Sequence, residues 1–170
     1  MSKLMMPEKA VLVMGIMYSD DNVKEKTVNL LVNKFGEIEL EGKSFVFDFT
    51  DYYEEEFGKT KKFFISFKEK IDIGDLVEIK LLTNKLEKEL SKEGKRRVNL
   101  DPGYVTKEKS VVASCKSRPH RIYLDKGVYA HLMFIFKKND VISFKWTFED
   151  YLQEKEFFVT VRERLFLSSK

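Results

Sequence analysis

The chain has 170 residues, 43% hydrophobic and 35% charged, which is the composition of a globular domain with a full core. Its formal net charge of +3 is small and acidic and basic residues alternate, so charge alone neither requires nor excludes nucleic-acid binding. A single cysteine excludes an internal disulfide, and the apolar run of residues 10 to 18 is too short for a membrane helix. No signal-peptide pattern occurs. We therefore expect one cytoplasmic domain over residues 1–170 without membrane association.

The first predicted elements are a buried strand and a helix. Residues 10 to 18, AVLVMGIMY, are apolar at both alternating positions, which is typical of a strand covered on both faces. Ser19 is expected to cap a helix whose apolar face includes Val28 and Leu31 and which ends at Gly36.

Two strands and a second helix are predicted next. Residues 43 to 49 place Phe45 and Phe47 on one face, the alternation of an edge strand that is exposed on its other face. Residues 61 to 68, KKFFISFK, predict a third strand, and the apolar stripe within residues 73 to 94 predicts a long helix.

The segment RRVNLDPGY, residues 96 to 104, predicts a fourth strand that ends in a turn. Pro102 and Gly103 suit the two central positions of a type II turn, because proline fixes φ and glycine accepts a positive φ. Alternation before the turn places Asn99 and Asp101 on one face, together with Arg97, and turns the intervening apolar residues towards the core.

The order so far is βαββαβ, which predicts a ferredoxin-like core with central first and third strands and with the second and fourth strands at the edges. Residues 106 to 115 are compatible with a short helix, and DKG at residues 125 to 127 between two apolar runs predicts a β-hairpin. Residues 140 to 146 favour a further strand and residues 149 to 167 a helix. The predicted fold class is therefore α+β, a ferredoxin-like βαββαβ core with a C-terminal β-hairpin and helix extension.

Two tripeptides, GKS at residues 42 to 44 and GKT at residues 58 to 60, match the end of a phosphate-binding loop. That loop needs G-x-x-x-x-G-K-[ST] between a strand and a helix, so that backbone N–H groups and the helix N terminus face the phosphates. Five residues, and not four, separate Gly36 from Gly42, and strand-forming residues follow both tripeptides. We therefore predict that no such loop forms and that Lys43 is solvated.

Carboxylates offer a second chemistry. Asp48, Asp51 and Asp101 could hold Mg²⁺ or act as acid and base in a metal-assisted hydrolase. The predicted topology places Asp48 and Asp101 on strands at opposite edges of the sheet, too far apart for one metal ion to bridge them directly. No zinc-ligand spacing occurs in the sequence, and we predict no metal site.

The cysteine and the histidines favour packing over catalysis. Cys115 ends the apolar segment VVASC and is expected to behave as a small buried hydrophobe. His131 alternates with apolar residues on one face of a predicted strand, so we expect a packed histidine. The RNA-recognition fold is also βαββαβ, but KKFFISF lacks the glycine of its third-strand motif.

Four segments, FDFTDYYEEEFG, EIKLLTNKLE, RRVNLDPGY and HRIYLDKGVYA, resemble in order the signatures of a bacterial family, the domain-of-unknown-function 4416 family. The resemblance covers nearly the whole chain and implies no activity, although some members carry a GTP-binding label. It implies a set of recurrent polar positions, which match Asp48, Thr50, Asp51, Tyr52, Tyr53, Lys80, Thr83, Asn84, Arg97, Asn99, Asp101, Tyr104, His120 and Arg121. Thr83 lies near the apolar stripe of its helix, where its hydroxyl is expected to bond back to a carbonyl.

Three function hypotheses follow. The first is a module that binds a small anionic ligand, with a nucleotide held without a phosphate-binding loop as one form, through Arg97, Arg121 and the TDYY and NLDPGY turns. The alternatives are an RNA-binding accessory protein and the metal-assisted hydrolase. The candidate ligand-binding residues are Asp48, Thr50, Asp51, Tyr52, Tyr53, Arg97, Asn99, Asp101, Tyr104, His120 and Arg121. The sequence leaves open whether the protein is an enzyme, which cofactor it uses and its oligomeric state.

Overall fold

The computed structural model describes residues 1–168, which form nine strands, five helices and two short 3₁₀ turns at Asp51–Tyr53 and Ile73–Asp75. The elements in chain order are β1 (Ala10–Tyr18), α1 (Asp21–Phe35), β2 (Ile38–Glu41), β3 (Phe45–Phe47), α2 (Glu54–Phe57), β4 (Thr60–Ile71), α3 (Leu76–Glu89), β5 (Val98–Val105), β6 (Lys109–Ser114), β7 (Arg121–Asp125), β8 (Val128–Lys137), β9 (Asp140–Ser143), α4 (Glu149–Gln153) and α5 (Lys155–Ser168).

The described strands form one antiparallel sheet in the order β2-β4-β1-β5-β6-β8-β7, with β3 also on β4 and β9 also on β8. The predicted α+β class is confirmed. The first and third predicted strands, β1 and β4, lie inside the sheet, and the second, β3, pairs within the described residues only with β4.

The fourth predicted strand is not at an edge. β5 pairs with β1 along its length and with β6 from Gly103 to Val105. The predicted type II turn is also wrong, because Pro102 and Gly103 lie within β5. The N–H of Leu100 points away from β1 and donates to Glu87. Backbone nitrogens two residues apart in a strand point to the same side, so the nitrogen of Pro102 also points away from β1. On that side β6 begins to pair only at Gly103. The missing N–H of proline therefore breaks no ladder hydrogen bond.

Gly103 allows β5 and β6 to meet. A Cβ atom at this position would lie 2.3 Å from the carbonyl oxygen of Val111, closer than these atoms can approach. The pairing of β5 with β6 stops at Gly103, and the two strands separate towards Asp101 and Ser114, where a cleft opens.

Three further predictions need correction. Residues 106 to 115 contain the strand β6 and not a helix, and its apolar residues contact the cores on both faces of the sheet. The strand β2 was not predicted, since IELE is a short, half-buried edge strand. The cap of α1 is Asp20 and not Ser19, because the Asp20 carboxylate accepts a hydrogen bond from the N–H of Val23 at 3.0 Å.

The predicted hairpin is confirmed as β7 and β8, with Lys126 and Gly127 at positive φ angles of 49° and 80° in the turn between them. The predicted strand over residues 140 to 146 is confirmed at β9, and the predicted C-terminal helix is present as α4 and α5.

Helices cover the two faces of the sheet unequally. Leu12, Met14 and Ile16 of β1 pack in one core with residues of α1 and α3. On the opposite face Val11 and Val13 pack with residues of α4 and α5. Further along the second face no helix within residues 1–168 covers the sheet, and polar side chains there form the floor of the cleft. No helix among residues 1–168 is long and apolar enough to cross a membrane.

Candidate functional site

A cleft of about 740 Å³ lies over the part of the sheet that α5 does not cover. Strands β1, β4 and β5 form its floor, and α3 reaches into it through the gap between β5 and β6. The remaining walls are two segments, residues 47–53 and residues 145–150, and the chain that follows β6. The cleft therefore gathers residues that are far apart in the sequence.

A buried lysine bridges two carboxylates on the floor. The Lys62 ammonium lies 3.1 Å from Asp101 and 2.7 Å from Asp150, and its side chain is only 5% exposed. Gly15, on the strand between β4 and β5, leaves the space that the aliphatic chain of Lys62 needs, since a Cβ there would lie 3.1 Å from the lysine Cε. The sequence did not single out Lys62 or Asp150, because their partners come from other elements.

The two carboxylates keep Lys62 charged. Burial by itself would lower the pKa of Lys62, but Asp101 and Asp150 outweigh this effect and raise it above its usual value. Burial would likewise raise the pKa of Asp101, yet the ammonium groups of Lys62 and Lys80 lower it overall. Asp101 is therefore held as a carboxylate, and its side chain is 22% exposed.

Side chains of helix α3 form hydrogen bonds with the backbone groups of β5 that have no partner on β6. The N–H of Leu100 donates to the Glu87 carboxylate at 2.6 Å, and the Lys80 ammonium donates to the Leu100 carbonyl at 3.0 Å. Because a buried backbone group without a partner is costly, these two side chains replace the ladder hydrogen bonds that β6 does not provide. The hydroxyl of Thr83 donates to the Lys80 carbonyl at 2.9 Å, as the sequence predicted.

Arg96 ties the segment that carries α2 to the floor. Its guanidinium donates to both carboxylate oxygens of Glu56, at 2.8 and 2.7 Å, and lies 3.5 Å from the Glu87 carboxylate. A further bond reaches the Asn99 side chain at 3.3 Å. Burial, followed by the Asp101 carboxylate, raises the pKa of the neighbouring Tyr53 to about 12, so its hydroxyl stays protonated.

Arg121 is held by neutral acceptors. Its guanidinium donates to His131 Nδ1 at 3.1 Å, to the Ser114 hydroxyl at 2.7 Å and to the Lys116 carbonyl at 2.9 Å. These bonds use Nε and Nη1, and Nη2 forms none with the residues that the structure describes. Burial and the nearby Arg118 lower the pKa of the Arg121 guanidinium.

His131 is locked in one neutral tautomer. Its Nδ1 accepts from Arg121, so Nε2 carries the proton and donates to the Trp146 carbonyl at 3.0 Å. Burial and the positive charge of Arg121 lower the pKa of His131 to about 4. The predicted packing of this histidine is confirmed, since its side chain is fully buried.

Aromatic contacts shape the segment 145–150 and the opposite wall. Trp146 stacks on His120 with ring centroids 5.3 Å apart, and its indole N–H donates to the Leu132 carbonyl at 2.9 Å. Across the cleft the Lys116 ammonium donates to the Tyr52 hydroxyl at 3.1 Å and lies 4.2 Å from the centroid of its ring. This contact joins two walls of the cleft.

The cations of the cleft fall into two groups. In the first group, Lys62 and Arg96 are neutralised by carboxylates, and Lys80 donates to a backbone carbonyl. From here on, the cleft floor means these three cations and their partners. The second group, the rim cations, has no carboxylate within ion-pair distance among residues 1–168 and comprises Lys88, Lys116, Arg121 and Lys145. The rim therefore carries uncompensated positive charge.

Eight of the sequence-predicted residues line the cleft: Thr50, Tyr52, Tyr53, Lys80, Asn84, Asn99, Asp101 and Arg121. Arg97 does not, because its guanidinium pairs with Asp20 at the start of α1, at 2.7 Å. Tyr104 is buried in the core on the other face of the sheet.

The predicted hydrolase residues are not brought together. Asp48 and Asp51 are exposed and do not line the cleft, whereas Asp101 lies on its floor. His120 packs against Trp146 and also lies outside the lining. No group of three or more histidine, cysteine, aspartate or glutamate side chains among residues 1–168 is placed to hold a metal ion.

Cys115 is exposed, so the prediction of a buried cysteine is wrong. It follows the last residue of β6, where the strand leaves the core, and its sulfur accepts a hydrogen bond from the Asn84 amide at 3.4 Å.

Among the cleft residues that were not predicted, Lys62 has a recognisable pattern in the sequence and the others do not. Alternation in KKFFISF places Lys62 on the same face as the buried Phe64, so a lysine on a core face could have marked a buried ion pair. Arg96 lies beside the predicted Arg97, and composition does not distinguish the two. The rim residues Lys116 and Lys145 occur among many surface lysines and carry no distinguishing pattern.

A sequence model described as a domain of unknown function (DUF4416) matches residues 8–165, and the chain belongs to this family. No curated protein and no solved structure matches the chain.

Proposed function

We propose that this protein binds a small anionic ligand, of the phosphate-bearing class that includes nucleotides, in the cleft and without a phosphate-binding loop. The observation that carries the proposal is the guanidinium of Arg121. It is half-buried, oriented by three neutral acceptors, and has no carboxylate partner among residues 1–168. A desolvated cation of this kind gains most from an anion that occupies its free N–H groups.

The rim cations strengthen this proposal. Lys116 and Lys145 line the same cleft as Arg121, and positive charges that converge without acidic partners favour a ligand with more than one negative charge. Phe49 and Tyr52 supply aromatic surface in the opposite wall, which suits a planar group such as a base. The Lys43 ammonium is exposed and GKS leads into β3, so neither belongs to the proposed site.

The proposed site rests on a proposed core topology. The strands β3, β4, β1 and β5 lie next to one another in this order, with α1 and α3 on one face. This order corresponds to a ferredoxin-like βαββαβ arrangement, and β6 to β9 extend the sheet beyond β5. In this arrangement the ligand lies where the core and the extension separate.

Calorimetric titration tests the proposal with inorganic phosphate, nucleotides and sugar phosphates. We expect at least one compound to bind, and Arg121→Lys to weaken it about tenfold or more, because lysine keeps the charge but loses the planar fork. Arg97→Lys is the matched control, since Arg97 pairs with Asp20 outside the cleft, and it is expected to change affinity by less than about twofold. Failure of every compound to bind the wild-type protein, or equal losses in both variants, would contradict the proposal.

RNA binding and metal-assisted hydrolysis stay predictions. An RNA that contacts several phosphates should weaken steeply with salt, with a log-log slope near −0.7 per contact on single strands, whereas a single-site ligand should respond less. Turnover of a phosphate ester that requires a divalent metal and is lost in Asp101→Asn would favour the hydrolase over a binding module.

A further inference from the structure

One carboxylate of the cleft floor, that of Asp101, is accessible from the cleft. Its Oδ2 atom accepts a hydrogen bond from Lys62 at 3.1 Å, and the Asn99 side chain donates to the same carboxylate. An ionised carboxylate has about four acceptor positions. Because the Asp101 side chain lines the cleft and is 22% exposed, it retains acceptor positions for a ligand.

The other carboxylates of the floor are not accessible in this way. The side chains of Asp150 and Glu87 are buried. Glu56 does not line the cleft, and both of its oxygens accept hydrogen bonds from Arg96. Asp101 is therefore the floor carboxylate that a ligand in the cleft can reach.

Two uncharged polar groups of the lining are free as well. The Tyr53 hydroxyl and the carboxamide oxygen of Asn84 form no hydrogen bond with residues 1–168. Burial, followed by the charge of Asp101, raises the pKa of Tyr53 to about 12, so its hydroxyl stays protonated and can both donate and accept. A carboxylate, a phenol and a carboxamide oxygen together suit a ligand with several hydroxyl groups.

Asp101 and the rim guanidinium of Arg121 act on each other without touching. Both line the cleft, and they form no ion pair with each other. Burial and Arg118 lower the pKa of Arg121, whereas the charge of Asp101 acts in the opposite direction. A ligand that reaches both side chains must present an anionic group to Arg121 and a hydrogen-bond donor to Asp101.

The charges around Asp101 favour a hydroxyl over an ammonium group as this donor. Lys62 contacts the carboxylate, and the Lys80 ammonium is close enough to help lower its pKa against the effect of burial. A third cation would be repelled by both lysines. A hydroxyl adds no charge and forms a short, charge-assisted hydrogen bond to a carboxylate.

We propose that the ligand is a phosphorylated sugar, free or as part of a nucleotide, with its phosphate at Arg121 and a sugar hydroxyl that donates to Asp101. This inference rests on the proposed function, because the rim cations hold the phosphate. Asp101 then determines specificity, since a compound without the hydroxyl leaves a partly desolvated carboxylate without a donor.

Calorimetric titration of the wild-type protein with matched pairs of compounds tests the hydroxyl contact. The pairs are adenosine monophosphate with its 2′-deoxy and 3′-deoxy forms, ribose 5-phosphate with 2-deoxyribose 5-phosphate, and glucose 6-phosphate with 2-deoxyglucose 6-phosphate. We expect at least one deoxy compound to bind about tenfold or more weakly than its parent, because it loses a hydrogen bond to a charged group. The pair that shows the preference distinguishes a nucleotide from a free sugar phosphate.

Substitution of Asp101 tests whether this residue is the acceptor. In Asp101→Asn the preference for the parent compound should fall below about threefold, because Lys62 orients the carboxamide oxygen towards itself and the amide nitrogen accepts no hydrogen bond. Asp150→Asn is the matched control, since it removes a charge from the same lysine at a buried position, and it should keep the preference. Circular dichroism shows whether each variant is folded, and the pairs measured on the wild-type protein decide the proposal if Asp101→Asn is not.

The outcomes separate this inference from the proposed function. Inorganic phosphate that binds through Arg121, together with equal affinities within every pair, would overturn the inference and leave the proposed function standing. Equal loss of the preference in Asp101→Asn and Asp150→Asn would also overturn it, as would phosphoethanolamine that binds more tightly than every sugar phosphate. Failure of all these compounds to bind would overturn the proposed function and the inference with it.

Discussion

The floor and the rim of the cleft both hold cations, but only the floor neutralises its own. On the floor Lys62 lies between two carboxylates, and Arg96 binds Glu56 through two parallel hydrogen bonds. On the rim Arg121 is held by a histidine, a hydroxyl and a carbonyl, none of which carries negative charge. The difference separates charges that stabilise the fold from charges that are left for a ligand.

The largest expected effect is on the floor. Replacing Lys62 by methionine leaves Asp101 and Asp150 without their cation in a buried site, and we expect the free energy of unfolding to fall by about 3–5 kcal/mol. Urea denaturation measures this loss. Lys61→Met, at the exposed neighbouring position of β4, is the control and should cost less than about 0.5 kcal/mol. Similar costs for both variants would show that the floor is not a buried ion network.

A second effect tests how Arg121 is held. The folded pKa of His131, about 4, lies below its ordinary value of 6.5, so between these values the unfolded chain binds a proton that the folded protein does not. His131 therefore contributes stability that is fully present above pH 6.5 and is lost as the pH falls towards 4. The loss should be about 3 kcal/mol.

Denaturation at a series of pH values between 4 and 7 measures this dependence. His131→Gln should remove most of the slope in this window, whereas His120→Gln, which keeps His131 and its bond to Arg121, should retain most of it. An unchanged slope in His131→Gln would mean that other groups cause the loss of stability at low pH, and that Arg121 is not held by a neutral His131.

Rim substitutions should show the opposite balance. Lys145 is exposed and has no carboxylate partner among the described residues, so Lys145→Ala is expected to change the free energy of unfolding by less than about 0.5 kcal/mol. The affinity of the Lys145→Ala variant for a phosphate-bearing ligand should fall about tenfold, because the variant loses a hydrogen bond to a charged group. A stability loss without any change in calorimetric affinity would assign Lys145 to the fold and remove it from the proposed site.

The smallest effect concerns Lys43. Its side chain is exposed, and the residues after it form β3 and not a helix, so Lys43→Ala should leave nucleotide affinity within about twofold. A lysine of a phosphate-binding loop contacts phosphate directly and would cost about 1.5–3 kcal/mol when removed. A loss of that size in calorimetry would restore the GKS segment as a binding loop.

The candidate site was only partly visible in the sequence. Asn99 and Asp101 were predicted to share a polar face, and both line the cleft, because strand alternation is a local property. Arg97 was expected to join them, but its side chain pairs with Asp20, a partner 77 positions away that no local pattern identifies. Lys62, Arg96 and Asp150 were not singled out, since the charges that neutralise them come from distant segments.

The sequence by itself determined the α+β class, the interior positions of β1 and β4, the hairpin of β7 and β8 and the absence of a helix after GKS. These features depend on periodicity and turn chemistry, which act over a few neighbouring residues. Tertiary structure alone decided that Pro102 and Gly103 continue a strand, because the close approach of Val111 and the bonds of Glu87 and Lys80 to Leu100 come from other elements. The separation of β5 from β6 that opens the cleft follows from the same long-range contacts, which no local pattern of residues encodes.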